Sequence, residues 1–108
     1  HEVGLDGSEY WYKDGQFHRG DDLPAVVDRF GTRYWYQHGK LHRDGDKPAV
    51  IWFNGTRFWY QHDRLSRDYG LPAEIGVDRF ARWYNHGNFV KSVLLYPSEY
   101  EQYVLPHS

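Results

Sequence analysis

The chain has 108 residues, which suits one domain of about 100 to 200 residues, and it contains no cysteine, so disulfides and cysteine-ligated metal sites are excluded. The net charge is −2 and the Lys and Arg residues are scattered, so the basic stripe typical of nucleic-acid binders is missing. The longest apolar run, residues 49–53, is far shorter than the roughly 20 residues of a membrane-spanning helix.

A 24-residue repeat organises the chain. Its most regular feature is a Trp-Tyr pair that recurs at Trp11, Trp35, Trp59 and Trp83. Most copies add a Gly four residues after the Trp, then His-Arg, then Pro-Ala. Agreement at so many positions of one period indicates a repeat protein. The predicted divisions are a partial unit 1–6, units at about 7–30, 31–54, 55–78 and 79–97, and a C-terminal cap at 98–108.

Each unit has the features of a β-hairpin. Asp14-Gly15, His38-Gly39 and His86-Gly87 suit two-residue turns, because Asp, His and Gly tolerate positive φ. Asn54-Gly55 is the strongest hairpin signal, and the aromatic run that follows it favours a strand. A return strand is expected from about Lys40 to Phe53, interrupted by residues 44–48, with Pro48 at an edge, bulge or kink. The predicted fold is all-β, an antiparallel meander of repeated β-hairpins in a single twisted, elongated sheet.

A short helix is predicted to close the chain. Ser98 and Glu101 have the spacing of a capping box, and Pro106 would stop a helix after about two turns. We therefore expect a capping helix over 99–105, covering one end of the sheet. Atypical terminal units commonly act as caps in repeat proteins.

The repeated His-Arg pairs allow two interpretations. In the structural one, each Arg stacks over an aromatic ring, and Asp22, Asp44, Asp46 or Asp68 supplies a carboxylate that completes the stacked ladder. In the functional one, Arg43, Arg67 and His42 belong to a row that binds an anion. The other histidines, His38, His62 and His86, are in register and fill a turn position, roughly 9–10 Å apart on successive hairpins. That spacing is too wide for a shared zinc ion, and we predict no metal site.

The aromatic rows supply the remaining binding candidates. Neighbouring strand residues point to opposite faces, so Trp is assigned to the core and the Tyr row, with Tyr36 and Tyr60, to any binding surface. Positions that depart from a repeat are the better candidates for binding. Trp52 replaces the Asp and Gly of neighbouring units, and Tyr69 replaces Asp21 and Gly45. Trp52 and Tyr69 are therefore the most specific interaction candidates.

The motif of the second unit carries a family resemblance. It runs Trp35-Tyr36-Gln37-His38-Gly39-Lys40-Leu41-His42-Arg43 and continues with Pro48-Ala49. Over about residues 3–91 this resembles variant MORN repeats, and more closely the W-Y-x-x-G-x-x-H-R…P-A repeats of viral and bacterial proteins. The resemblance implies β-hairpin units stacked into an elongated, twisted sheet. It also implies scaffolding, or binding to proteins or membrane surfaces, rather than catalysis.

The predicted function is a non-catalytic interaction module for a protein partner, such as a viral or bacterial effector or inhibitor. Carbohydrate or cell-surface ligand binding is the first alternative, and binding of a small anion is the second. No catalytic residue, cofactor or nucleic acid is predicted, and open sheet edges make a homodimer an expected assembly. The lack of Cys and of a visible signal peptide favours the cytoplasm.

Overall fold

The computed structural model describes residues 1–107, and this part of the chain holds fifteen strands and one helix. In chain order they are β1 (Glu2–Val3), β2 (Glu9–Tyr10), β3 (Tyr12–Lys13), β4 (Gln16–Phe17), β5 (Val26–Val27), β6 (Arg33–Tyr34), β7 (Tyr36–Gln37), β8 (Lys40–Leu41), β9 (Val50–Ile51), β10 (Arg57–Phe58), β11 (Tyr60–Gln61), β12 (Arg64–Leu65), β13 (Glu74–Ile75), β14 (Phe80–Asn85), β15 (Asn88–Leu94) and α1 (Pro97–Val104).

Nine of these strands form one antiparallel sheet in the order β1-β2-β5-β6-β9-β10-β13-β14-β15. The other six form three small hairpins, β3 with β4, β7 with β8, and β11 with β12. The molecule is elongated, with extents of 40 × 25 × 24 Å. The predicted all-β antiparallel meander with a short C-terminal helix is confirmed, and the hairpin tips form small sheets of their own. Residues 1–107 contain no helix with the length and apolar character needed to cross a membrane.

A loop separates each hairpin tip from the main sheet. The N–H of Trp35 donates to the Ala49 carbonyl at 2.7 Å, and the Trp35 carbonyl accepts from the His42 N–H at 3.1 Å. Residues 43–48 therefore leave the sheet between two hydrogen bonds to a single tryptophan. Pro48 lies in this loop, where its missing N–H removes no ladder bond. The predicted interruption of the return strand at residues 44–48 is thus confirmed, with β8 before the loop and β9 after it, although β9 ends at Ile51 rather than Phe53.

The turns follow local residue chemistry. The predicted two-residue turns are confirmed, with φ of 52° and 78° at Asp14 and Gly15, and 51° and 80° at His38 and Gly39. The Asn54-Gly55 turn differs, because only Gly55 has positive φ, at 95°. The Gly55 N–H donates to the Trp52 carbonyl, as in a tight turn followed by a glycine bulge. Asn54 instead accepts the Thr56 N–H through its side chain.

The core is built from the regular repeat positions. Trp35 and Trp59 are buried, and the Ala of each Pro-Ala pair is fully buried. Each buried indole N–H also needs an acceptor. Trp35 Nε1 donates to the Asp22 carbonyl at 3.1 Å, and Trp59 Nε1 donates to the Asp46 carbonyl at 3.2 Å. The Trp of one unit is therefore fixed to the loop of the unit before it.

The fourth unit lacks the loop. β15 pairs continuously with β14 apart from a bulge beside Trp83, with Trp83 opposite Lys91 and Ala81 opposite Val93. No room is left for a Pro-Ala loop, and α1 takes its place. Side chains of α1 pack against the cluster that contains Trp59 and Leu95.

The helix begins earlier than predicted. It spans Pro97–Val104 rather than 99–105, because Pro97 suits the first helical position and Glu99 accepts the Tyr96 N–H at 3.0 Å. The predicted Ser98–Glu101 capping box is therefore wrong. Pro106 follows the helix end as expected. Ser108, the last residue of the predicted cap, lies outside the described residues.

Candidate functional site

A ladder of cations stacked on tryptophans runs through the molecule. The guanidinium carbons of Arg19, Arg43 and Arg67 lie 3.8, 3.9 and 4.0 Å from the ring centroids of Trp11, Trp35 and Trp59. Lys91 continues the ladder in the fourth unit, with its ammonium 4.6 Å from the Trp83 ring. The structural interpretation of the repeated Arg is confirmed.

Two of these arginines join neighbouring units by ion pairs. Arg43 donates to both carboxylate oxygens of Asp22, at 2.8 and 3.1 Å, and Arg67 does the same with Asp46, at 2.8 and 3.0 Å. Hydrogen bonds from Arg43, assisted by Lys47 and opposed by partial burial, lower the pKa of Asp22 from 3.8 to about 2. Two of the four aspartates considered from the sequence, Asp22 and Asp46, therefore complete the ladder.

Burial separates the two ion pairs. The Arg67 side chain is 0% exposed and Asp46 is 6% exposed, whereas Arg43 and Asp22 are 15% and 41% exposed. Arg67 also donates to the carbonyls of Tyr103 and Leu105 in the C-terminal segment. The side chain of Arg67 thus has no accessible surface for a ligand. The structure therefore does not support anion binding by Arg67.

Four histidines form two ring pairs between units. The His18 and His38 rings lie 4.6 Å apart, and the His42 and His62 rings lie 4.4 Å apart. In both pairs the turn residue donates its backbone N–H to Nδ1 of the earlier His, at 3.1 and 3.2 Å. Burial, followed by the charge of His38, lowers the pKa of His18. Within residues 1–107 no group of three or more His, Asp or Glu side chains is arranged to hold a metal ion.

A groove between two successive loops brings together three of the predicted binding residues, His42, Arg43 and Tyr69. We call it the loop groove. Its volume is about 450 Å³, and His62 and His107 contribute to its walls. Both ring nitrogens of His42 are engaged, Nδ1 by the His62 N–H and Nε2 by Asp44 at 2.7 Å. His42 therefore has no free nitrogen that could act as a base or bind a metal.

Tyr69 is the most unusual residue of the loop groove. Its φ is 67°, a conformation that is an outlier for a bulky side chain. The register positions Asp21 and Gly45 also have positive φ, so the repeat imposes this backbone on whichever residue stands there. The Tyr69 ring is 65% exposed and stacks on His107 at 4.0 Å. An exposed aromatic in a strained conformation is the feature expected at a binding site.

Tyr36 and Tyr60 are less accessible than predicted from the sequence. Both are half-buried, and Tyr36 contacts the Phe17 ring at 5.1 Å. Burial is the main cause of the raised pKa of both hydroxyls, helped by the charge of Asp63 at Tyr36 and of Glu74 at Tyr60. Neither of them lines the loop groove with Tyr69.

Trp52 belongs to a separate surface at the turns between units. We call this surface the aromatic turn edge and define it as Phe30, Trp52, Phe53 and Val77. All four side chains are exposed, and Phe53 is 70% exposed. The Phe30 and Phe53 rings lie 6.3 Å apart, while Trp52 packs on Phe58 at 4.9 Å. Trp52 and Val77 line one shallow groove of about 240 Å³, so side chains of two successive turns also meet there.

Sequence reasoning identified Trp52 but missed Phe30, Phe53 and Val77. The signal was available for Phe30, because the same position holds Asp or Asn in the other units. Phe53 and Val77 share a register position with Leu5, so they do not depart from the repeat. Large apolar residues at exposed turn positions contribute little to the fold of their own unit. Reading the whole turn, rather than the single position of Trp52, would have revealed them.

No protein-family model matches this chain, and no curated protein or solved structure shows significant similarity to it. The hairpin-repeat architecture is thus established from the geometry alone.

Proposed function

We propose that this chain is a non-catalytic protein-interaction module whose aromatic turn edge docks on apolar side chains of a protein partner. The observation that carries the proposal is the exposure of Phe30, Trp52 and Phe53 at neighbouring turns, with the Phe30 and Phe53 rings 6.3 Å apart. Contiguous exposed apolar patches on a folded surface mark interaction sites more often than isolated exposed residues do. Trp is also among the residues most enriched at energetic hot spots of interfaces.

The spacing of the turn edge suits a protein segment. Successive turns on one edge of an antiparallel meander are about 9–10 Å apart, which is two strand spacings. The aromatic residues therefore form a row along the long axis of the molecule rather than a pocket for one small ligand. Such a row fits a helix or extended segment that repeats an apolar side chain along its length.

The scaffold role agrees with the MORN-like resemblance of the repeat. The Arg-on-Trp ladder and its ion pairs hold neighbouring units at a fixed spacing, which keeps the turn edge rigid. A rigid surface loses little conformational freedom on binding, which favours affinity. The guanidinium groups of Arg43 and Arg67 serve that ladder, so binding of a small anion is less well supported.

Affinity capture from cells that produce the protein tests the proposal. The immobilised chain is compared with the Phe53→Ser and Trp52→Ala variants, and bound proteins are measured by quantitative mass spectrometry. Leu23→Ser is the matched control, because Leu23 is also an exposed apolar residue but lies outside the turn edge. We expect one or a few proteins to be enriched by the wild-type chain and the control and lost with Phe53→Ser. If no enriched protein depends on Phe53, the turn edge is not the interface.

Carbohydrate binding is the second candidate, and the loop groove favours it. A sugar ring can stack on the exposed face of Tyr69 while neighbouring Asp44, Asp68 and His62 bond its hydroxyls. A glycan array probed with the wild-type chain and Tyr69→Asn tests this candidate, because Asn tolerates the positive φ at that position. Binding lost in Tyr69→Asn supports it, and an array without signal rejects it.

A further inference from the structure

The last strand of the sheet has an open edge. β15 is the longest strand in residues 1–107, it pairs only with β14, and all of its seven residues are exposed. Four of them are large and apolar, Phe89, Val90, Val93 and Leu94. Proteins normally protect such an edge with charge, proline or a covering element. Helix α1 packs on the cluster around Trp59 and Leu95 and leaves β15 exposed.

The hydrogen-bond pattern shows which backbone groups face outward. The Leu95 N–H donates to the Arg79 carbonyl at 2.9 Å, and the register from Phe80 to Trp83 continues that pairing without a shift. In an antiparallel pair, alternate residues bond the neighbouring strand. Val93 and Lys91 therefore bond β14, whereas the N–H and C=O of Ser92 and Leu94 point away from it. Another extended strand would pair with both sets of groups along this edge.

The charge of β15 does not block such pairing. Its single charged residue, Lys91, has its ammonium 4.6 Å from the ring of Trp83, so the charge is directed onto its own sheet. An antiparallel copy centred on Ser92 would place Lys91 opposite Val93 and Val90 opposite Leu94. That register avoids the like-charge contact that a copy centred on Lys91 would create. In that register the outward-facing N–H and C=O groups of one β15 meet the outward-facing N–H and C=O groups of the other.

We propose that β15 pairs with β15 of a second copy of this chain about a two-fold axis at Ser92. The two main sheets then form one continuous sheet. A two-fold contact of this kind is self-complementary and closes on itself, so it gives a dimer rather than a filament. It also places apolar side chains of β15 beside those of the copy, with Val90 opposite Leu94.

Sedimentation velocity tests the dimer with a backbone variant. Ser92→Pro removes an outward N–H and no bond to β14, so its fold should survive while its dimer is lost. Ser92→Ala keeps the N–H and is the matched control, which should remain dimeric. A wild-type chain that is monomeric at its highest soluble concentration overturns the proposal. A folded Ser92→Pro variant that remains dimeric also overturns it, because the contact would then lie elsewhere.

Cross-linking tests the register and does not depend on the proline variant. The chain has no cysteine, so a single introduced one can only pair with its copy. Cα atoms of a directly opposed, hydrogen-bonded pair lie about 5.5 Å apart, within reach of a disulfide. In the same register two Lys91 positions would be about 8 Å apart, beyond the roughly 7 Å limit. We expect Ser92→Cys to form a covalent dimer under mild oxidation and Lys91→Cys to remain monomeric, and the reverse result overturns the register.

Discussion

The buried ion pair between Arg67 and Asp46 gives the sharpest test of how the units are joined. Asp46→Asn keeps the shape of the side chain and removes its charge, and Asn tolerates the φ of 54° at this position. Asp22→Asn makes the same change in the preceding unit, where φ is 56°. The two variants differ in burial, since Asp46 is 6% exposed and Asp22 is 41% exposed. They also differ in their second partner, which is the His107 N–H for Asp46 and the Lys47 ammonium for Asp22.

The expected losses follow from that difference. Breaking a buried pair leaves Arg67 charged and without its partner, which costs about 3–5 kcal/mol. The exposed pair of Asp22 contributes about 0.2–1 kcal/mol, because solvent screens it. With a shift of about 4 °C or more per kcal/mol in a domain of this size, Asp46→Asn should lower the melting temperature by about 12 °C or more.

Urea unfolding followed by tryptophan fluorescence measures both losses, because Trp59 and Trp35 lie beneath the two arginines. A loss for Asp46→Asn at least about 2 kcal/mol larger than for Asp22→Asn is predicted. Equal losses would refute the reasoning, since burial would then not decide the strength of the contact between units.

Three further predictions concern local conformation and pH. Gly31→Ala should cost about 1–2 kcal/mol in urea unfolding, because φ is 93° and an added Cβ meets no atom within 4 Å, which leaves only backbone strain. The pKa of Asp22 is about 2 in the folded chain and 3.8 in the unfolded chain, so its contribution to folding stability is present above pH 3.8 and is lost as the pH falls toward 2. The melting temperature of Asp22→Asn should therefore depend less on pH over that range than the melting temperature of the wild-type chain. Folding lowers the pKa of His18 from 6.5, so as the pH falls the His18 ring is protonated in the unfolded chain before it is protonated in the folded chain. The folding stability therefore decreases as the pH drops below 6.5. His18→Asn keeps an acceptor for the His38 N–H and should reduce that fall in melting curves between pH 7 and pH 5, whereas an unchanged slope would contradict the assignment to His18.

Local chemistry explains the part of the fold that the sequence predicts well. The turn at His38-Gly39 requires residues that tolerate positive φ, and the sequence has such residues at these two positions. The stacking of Arg on Trp was predictable because both residues recur at fixed positions of the same unit. Structural features that depend only on residues of one repeat unit could therefore be predicted from the repeated sequence.

Features decided between distant segments could not be predicted. The loop at residues 43–48 forms because Arg43 donates both to Pro48 in its own loop and to Asp22 of the unit before. Arg67 differs from Arg43 because the C-terminal segment, 36 and 38 residues further on, covers it. The local motifs differ, with His42 before Arg43 and Ser66 before Arg67, but that difference does not state which arginine the C-terminal segment buries.

The candidate site was predictable in part for the same reason. The departure from the repeat identified Trp52 and Tyr69, and the structure places them on two separate surfaces, the turn edge and the loop groove. That separation depends on the path of the loops rather than on repeat position. Exposure of Phe53 likewise depends on the geometry of the turn, in which only Gly55 takes positive φ.

Photo-cross-linking at position 53 tests the central claim most directly. A benzophenone amino acid replaces Phe53 in one protein and Leu23 in another, and both are irradiated in cells that produce the chain. The account predicts that position 53 forms a covalent adduct with a defined protein partner and that position 23 does not. Equal adducts at both positions, or none at position 53, would contradict the turn edge as the interface.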